Sequence, residues 1–306
     1  MAAKKIKDAP KKIFIAEFNI MYQLVFTDKE ETREGVNHGK TKAELTVAAA
    51  NLHKEDLTYL TDKIYKSYLD NLASKGYEIL DAAQAADAKP YTDWQLMKGG
   101  GLNEAQLRGY ILSTPTNYSY YVKKVSKKGK EKTGMIDNSI KISQAIGGAV
   151  VAKVNILIPF IVDAESGLSK STAKIVGGVS KIVVKPSLHI AAGGVMTGHN
   201  TIYQTGASYA YSTGMKVQAM AKTNLKEDVE IPSVFEDKKF KAVAVTQLNT
   251  EYDAGAYTIV HSIDVTQANV QEAKCDVPKY KSGVQKASIK FLNASLNRFY
   301  GFTEGN

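Results

Sequence analysis

The 306-residue chain has 40 Lys+Arg against 31 Asp+Glu, a formal charge of +9, with 44% hydrophobic residues, 7 prolines and 1 cysteine. It can bury a full core, which excludes a disordered protein, and no run reaches the ~18–20 apolar residues of a membrane helix. Cys275 alone allows no internal disulfide and no cysteine-cluster metal site, and lysines spread along the chain argue against nucleic acid as a partner.

In chain order, MAAKKIKDAP carries lysines but no apolar signal-peptide core. That leaves a cytoplasmic protein or a mature exported chain restarted at Met1. Residues 13–26 read as a strand, with Phe14, Ala16, Phe18, Ile20, Tyr22, Leu24 and Phe26 on one face and Glu17, Asn19 and Gln23 on the other. Residues 27–53 read as a long polar loop, a length that is usually functional or disordered. Asp56 caps a helix carrying Leu57, Leu60, Ile64, Tyr68 and Leu72 at helical spacing, Gly76 ends it, and residues 77–80 form a short strand. Strand, helix, strand suggests a parallel βαβ start. Short helices over 81–88 and 103–112, a hairpin turning at Lys128-Gly129 and a helix over 135–146 follow.

Residues 148–221 depart from an ordinary soluble pattern, because apolar residues recur at every second position over long stretches. One face holds Val154, Ile156, Ile158 and Phe160, then Ile182, Val184 and Leu188, then Tyr203, Tyr209 and Tyr211. The other holds Lys153, Asn155, Lys181, Lys185, Gln204, Ser208, Ser212 and Lys216. Such strands are long for a globular sheet, where ~5–6 residues is usual, and suit a bilayer crossing of ~9–11. The simplest alternative is a half-buried sheet packed on helices. If the strands cross a membrane, the first face meets lipid and the second lines a wet lumen. The expected hairpins are 149–163 with 174–190, and 201–221 with 240–248 or 257–265. A closing helix has Ile289, Leu292, Leu296 and Phe299 on one face.

Signals for chemistry are poor. His38, His53, His189, His199 and His261 lack metal-ligand spacing, Gly99-Gly100-Gly101 lacks phosphate-loop spacing, and no G-x-S-x-G elbow occurs. No catalysis, cofactor or metal is expected.

The order of strand, loop 27–53, helix, strand 77–80, further helices, hairpins from Ala149 onward and late helix resembles the curli-type outer-membrane secretion channels. The turn Val195-Met196-Thr197-Gly198 resembles that family's turn between its two hairpin regions. The resemblance implies an α+β protein: a ring-forming α/β domain over 1–147, long amphipathic hairpins over 148–270 that assemble into an oligomeric transmembrane β-barrel, and a C-terminal helix over 271–306 packed on the α/β domain. It implies a homo-oligomeric, non-enzymatic pore in a bacterial outer membrane, with the lipid bilayer, a secreted polypeptide cargo or an accessory protein as partners. The family's constriction loop corresponds by position to 27–53, with Asn37, His38, Lys40 and Asn51 as lining. That family is lipidated on an N-terminal cysteine, which this N-terminus lacks, so anchoring rests on the barrel or that residue has been removed. The competing expectation is a soluble periplasmic or phage-associated α+β binding or adaptor protein.

Overall fold

A computed structural model describes residues 3–31, 42–105, 107–127, 131–132, 134, 137–161, 182–193, 195–196, 202–214, 217–244, 251–253, 258–260 and 270–304. After a 3-10 turn (Ala3–Asp8) come β1 (Lys12–Gln23), β2 (Val25–Glu31), β3 (Lys42–Ala50), α1 (Lys54–Ser74) and β4 (Glu78–Leu80). Two 3-10 turns (Ala82–Ala85, Lys89–Tyr91) lead to β5 (Gln95–Lys98), β6 (Leu102–Glu104), β7 (Tyr110–Ser113) and β8 (Ser119–Val122). The short pair β9 (Lys124–Val125) and β10 (Glu131–Lys132) precedes α2 (Ser139–Ala145) and β11 (Val150–Ile158). Next are β12 (Val183–Val184), β13 (Leu188–Ile190), β14 (Val195–Met196), β15 (Ile202–Tyr203), β16 (Gly206–Gly214) and β17 (Val217–Asn224). The chain closes with β18 (Val229–Ile231), β19 (Phe240–Lys241), β20 (Val243–Ala244), β21 (Glu251–Asp253), β22 (Thr258–Val260), β23 (Val270–Lys274) and α3 (Val277–Thr303).

The protein is α+β. Among the described residues the main sheet runs β17-β16-β11-β1-β7-β6, with β4 beside the start of β1. β11 lies parallel to β1 over Ile13–Tyr22, and β16 pairs antiparallel with β11. Residues on both sides of position 147/148 therefore share one sheet, and the expected domain boundary there does not separate two bodies. β4 is parallel to β1, which realises the βαβ start around α1.

Helices α1 and α3 cover one sheet face. Against them pack Ile13, Ile15, Phe18, Ile20 and Tyr22 of β1, Val150, Ala152, Val154, Ile156 and Ile158 of β11, and Ala207, Tyr209 and Tyr211 of β16. Phe14 and Ala16, expected on that face, lie on the other with Val151, Ala210 and Ile142. The cause is a register shift between Ile15 and Glu17, where one extra residue reverses the alternation.

Several other expectations change. The polar segment 27–53 contains the paired strands β2 and β3, with Val25 opposite Ala48 and Thr27 opposite Thr46. Leu45, Thr46, Val47, Ala48 and Ala49 are all buried, so β3 is covered on both faces there and carries no alternation to read. The helix expected over 103–112 is instead β6, a turn and β7, closed at Gly109, whose φ is +77. The Gly109 carbonyl accepts from Leu24 N and Val25 N, and a Cβ at residue 109 would run into the Val25 carbonyl oxygen. Gly109→Ala is expected to cost about 2 kcal/mol, read as a lowered denaturant midpoint with an unchanged m-value. The single strand expected through residue 217 turns back after Gly214, and β16 pairs with β17 instead of with residues 240–265. Two alternating limbs joined by a tight turn look continuous in sequence. The turn at Lys128-Gly129 lies outside the described residues, between the paired β9 and β10.

Candidate functional site

Among the described residues of 148–221 the two-faced pattern is real, but the apolar face is the core of the body. Val154, Ile156, Ile158, Phe160, Ile182, Val184, Leu188, Tyr209 and Tyr211 are all buried, and Tyr203 packs half-buried against Met21 and Leu157. The expectation that they meet lipid is therefore corrected. Periodicity specifies that a strand has a dry face, while the covering partner, here α1 and α3, is set by tertiary packing.

The polar face gathers part of the expected lumen set. Sheet register aligns Glu17, Lys153, Ser208 and Lys222 in one row across four strands, and Asn19, Asn155, Gly206 and Asn224 in the next. Lys153 Nζ lies 2.8 Å from Glu17 and 3.3 Å from Asp137, and Asn19 Nδ2 donates to Asn155 Oδ1 at 3.1 Å. Burial alone would lower the Lys153 ammonium, but the two carboxylates override it and hold its pKa above the lysine range. Burial alone would raise the Asp137 carboxyl, yet Lys153 and Ser139 hold it below the usual carboxylate range. Burial, then the nearby Glu17 charge, push the Tyr203 hydroxyl up.

The rest of that set is scattered. Ser212 is buried under α2, its N–H donating to Ser143 Oγ at 2.9 Å. Lys185 is exposed and pairs with Asp237 at 2.8 Å. Gln204 is half-buried between β15 and β16, and Lys181 and Lys216 lie outside the described residues.

Of the constriction candidates, Asn37, His38 and Lys40 lie outside the described residues. Asn51 is exposed in the left-handed region, φ 70, between β3 and α1. The nine residues of β3 carry it roughly 30 Å along the strand from Lys42.

A feature missed at the sequence level is where the chain leaves the body. β2 runs out toward residues 32–41 and β3 returns. β20 runs antiparallel to β3 toward that same end before residue 245, and β23 returns parallel to β3 from residue 270. β11 runs the same way as β1, and after Ile161 the chain re-enters at Ile182. Three excursions thus start and finish at one end.

Their roots interlock. Gln23 Oε1 accepts from both Phe160 N and Ile161 N at 3.0 Å, fixing the outbound limb of the excursion over 162–181. Its return limb donates from Ser187 N to Phe160 O (2.7 Å) and from His189 N to Pro159 O (3.2 Å), so the base of the expected first hairpin is formed. β12 pairs with β19, Ala242 N donates to Ile182 O at 2.9 Å, and Gln271 Nε2 donates to Lys241 O at 2.7 Å. The Ala242 bond ties this excursion to the outbound limb of the second, over 245–269, and the Gln271 bond ties the two limbs of the second together. Within the second, β21 and β22 pair antiparallel, Asp253 opposite Thr258. The sequence held no signal for this, since Gln23 read as one of the polar face; its burial, which demands a backbone partner, is seen only in the structure.

Among the described residues no group of three or more His, Cys, Asp or Glu could hold a metal, and no helix is long and apolar enough to cross a membrane, which says nothing of strands. No protein-family model, curated protein or solved structure matches this chain.

Proposed function

We propose that the chain is the subunit of a homo-oligomeric, non-enzymatic pore, in which the folded body forms a ring and the excursion end meets the bilayer. The observation that carries this reading is the common exit of three excursions with roots hydrogen-bonded to one another. Residues 162–181 number 20, enough by length for two crossings of ~9–11 residues each, and residues 245–269 number 25. The membrane assignment narrows accordingly, from hairpins over 149–163, 174–190 and 201–221 to the chain carried by these roots. Neighbouring copies would pair edge to edge, which removes exposed strand edges, and transport would be passive through a polar lumen.

The complete burial of Val154, Ile156, Ile158 and Tyr209 inside one body favours a second reading, a soluble α+β adaptor that needs no membrane. One experiment separates the two. The purified full chain is imaged as particles in detergent and assayed in planar bilayers, beside a variant with residues 162–181 replaced by a short Gly-Ser turn. Rings with a central hole and conductance, lost in the variant while its circular dichroism persists, are expected. A monomeric, silent full chain would refute the pore and support the adaptor.

A further inference from the structure

Helix α3 presents an outward surface that neither the packing of the body nor the pore reading uses. Its 27 residues carry five cations, Lys279, Lys281, Lys286, Lys290 and Arg298, and no acid. Lys279 pairs with Asp276 and Lys281 with Asp56. Lys286, Lys290 and Arg298 are exposed and have no ion-pair partner among the described residues. A solvated charged helix face usually mixes both signs, because i,i+4 pairs of opposite charge stabilise it. Here Lys286 and Lys290 stand four apart with like charge, an arrangement that costs the isolated helix a few tenths of a kcal/mol.

The same face carries a shallow, open groove of about 770 Å³, lined among the described residues by eight residues of this one helix, Lys286, Ile289 and Lys290 among them. Ile289 is the one large apolar side chain on this lining, only half-buried although the sequence placed it with the core-facing set. The groove has a firm base. The opposite face of α3 buries Val284, Leu292, Leu296 and Phe299. Gly283 sits so close to β18 that a Cβ would meet the Ile231 side chain, and Asn71 Nδ2 on α1 donates to Asn293 Oδ1 at 2.8 Å.

We infer that this groove docks an acidic, amphipathic segment of another protein, its apolar side chains on Ile289 and the lysine stems and its carboxylates on Lys286 and Lys290. Charge complementarity selects that occupant. The net charge of +9 disfavours a second copy of this chain as the occupant. An anionic lipid surface is the competing occupant, and vesicles beside the peptide distinguish the two. The inference does not depend on the pore.

The test titrates the full-length protein with a synthetic amphipathic Glu/Leu helix of about four turns, a scrambled peptide of the same composition, and anionic vesicles. The amphipathic peptide is expected to bind, with affinity falling as salt rises. In K286E/K290E, affinity should drop about tenfold while the circular dichroism spectrum is retained, and a Lys/Leu peptide should bind that variant better than the original protein. Equal binding of the scrambled peptide, unchanged affinity in the variant, or binding of vesicles without binding of peptide would each overturn the inference, the last in favour of a lipid surface.

Discussion

Phe299→Ala is expected to lower the unfolding free energy by about 3–5 kcal/mol, the largest effect of any single truncation proposed for this chain. Phe299 is 1% exposed and stacks on Tyr209 with ring centroids 4.3 Å apart and planes at 16°. Tyr77 lies 5.6 Å from the same ring. The residue therefore joins α3, β16 and the entry to β4, and its removal opens a cavity where three elements meet. Chemical denaturation of the variant checks this, with Asn297→Ala, exposed on the same helix, as a control expected within about 0.5 kcal/mol of the parent. A small effect at Phe299 would mean that α3 does not seal the sheet. The experiment also discriminates the role of Tyr209, since a lipid-facing tyrosine would have no stacking partner inside the subunit.

Lys153→Met is expected to cost about 2–3 kcal/mol near neutral pH. Breaking a fully buried pair costs ~3–5 kcal/mol, and the figure is reduced here because water still reaches the partners. Side-chain exposures are 19% for Lys153, 28% for Glu17 and 38% for Asp137. The substitution preserves the aliphatic volume but leaves two carboxylates facing each other. The pH profile follows from the shifts. The depressed Asp137 stabilises the fold above the ordinary carboxylate pKa of ~3.9, and that contribution is lost as pH falls through its folded value. The raised Lys153 stabilises below the ordinary lysine pKa of ~10.4, and is lost as pH rises through its folded value. The stability gap between parent and variant should thus be widest from about pH 5 to 10 and close on both sides. Urea titrations at pH 3, 7 and 11 measure it, and a gap of equal size at all three would show that the triad is not electrostatic in origin.

By itself the sequence determined the local rules. Alternation in residues 150–158 and 206–214 specified strands with one dry and one wet face, and the membership of each face was largely right: Val154, Ile156 and Tyr209 together, Lys153, Asn155 and Ser208 together. Helical spacing in α1 and α3 was also legible, because it depends on neighbours three or four residues away, although the N-cap of α1 is His53, with the expected Asp56 three residues on in its capping box. Four matters were left to the tertiary structure. A bulge at residues 15–17 moved Phe14 and Ala16 to the opposite face, which no period can announce. The turn after Gly214 divided one apparent strand into two. The covering of the apolar face by α1 and α3, rather than by lipid, was decided by packing between segments more than a hundred residues apart, such as Tyr209 with Tyr68. The gathering of the excursion roots at one end required the pairing of β3 with β20 and β23, which are distant in sequence and too short to carry a periodic signal of their own. Periodicity reports that a face is dry. What keeps it dry is decided by which distant elements can reach it.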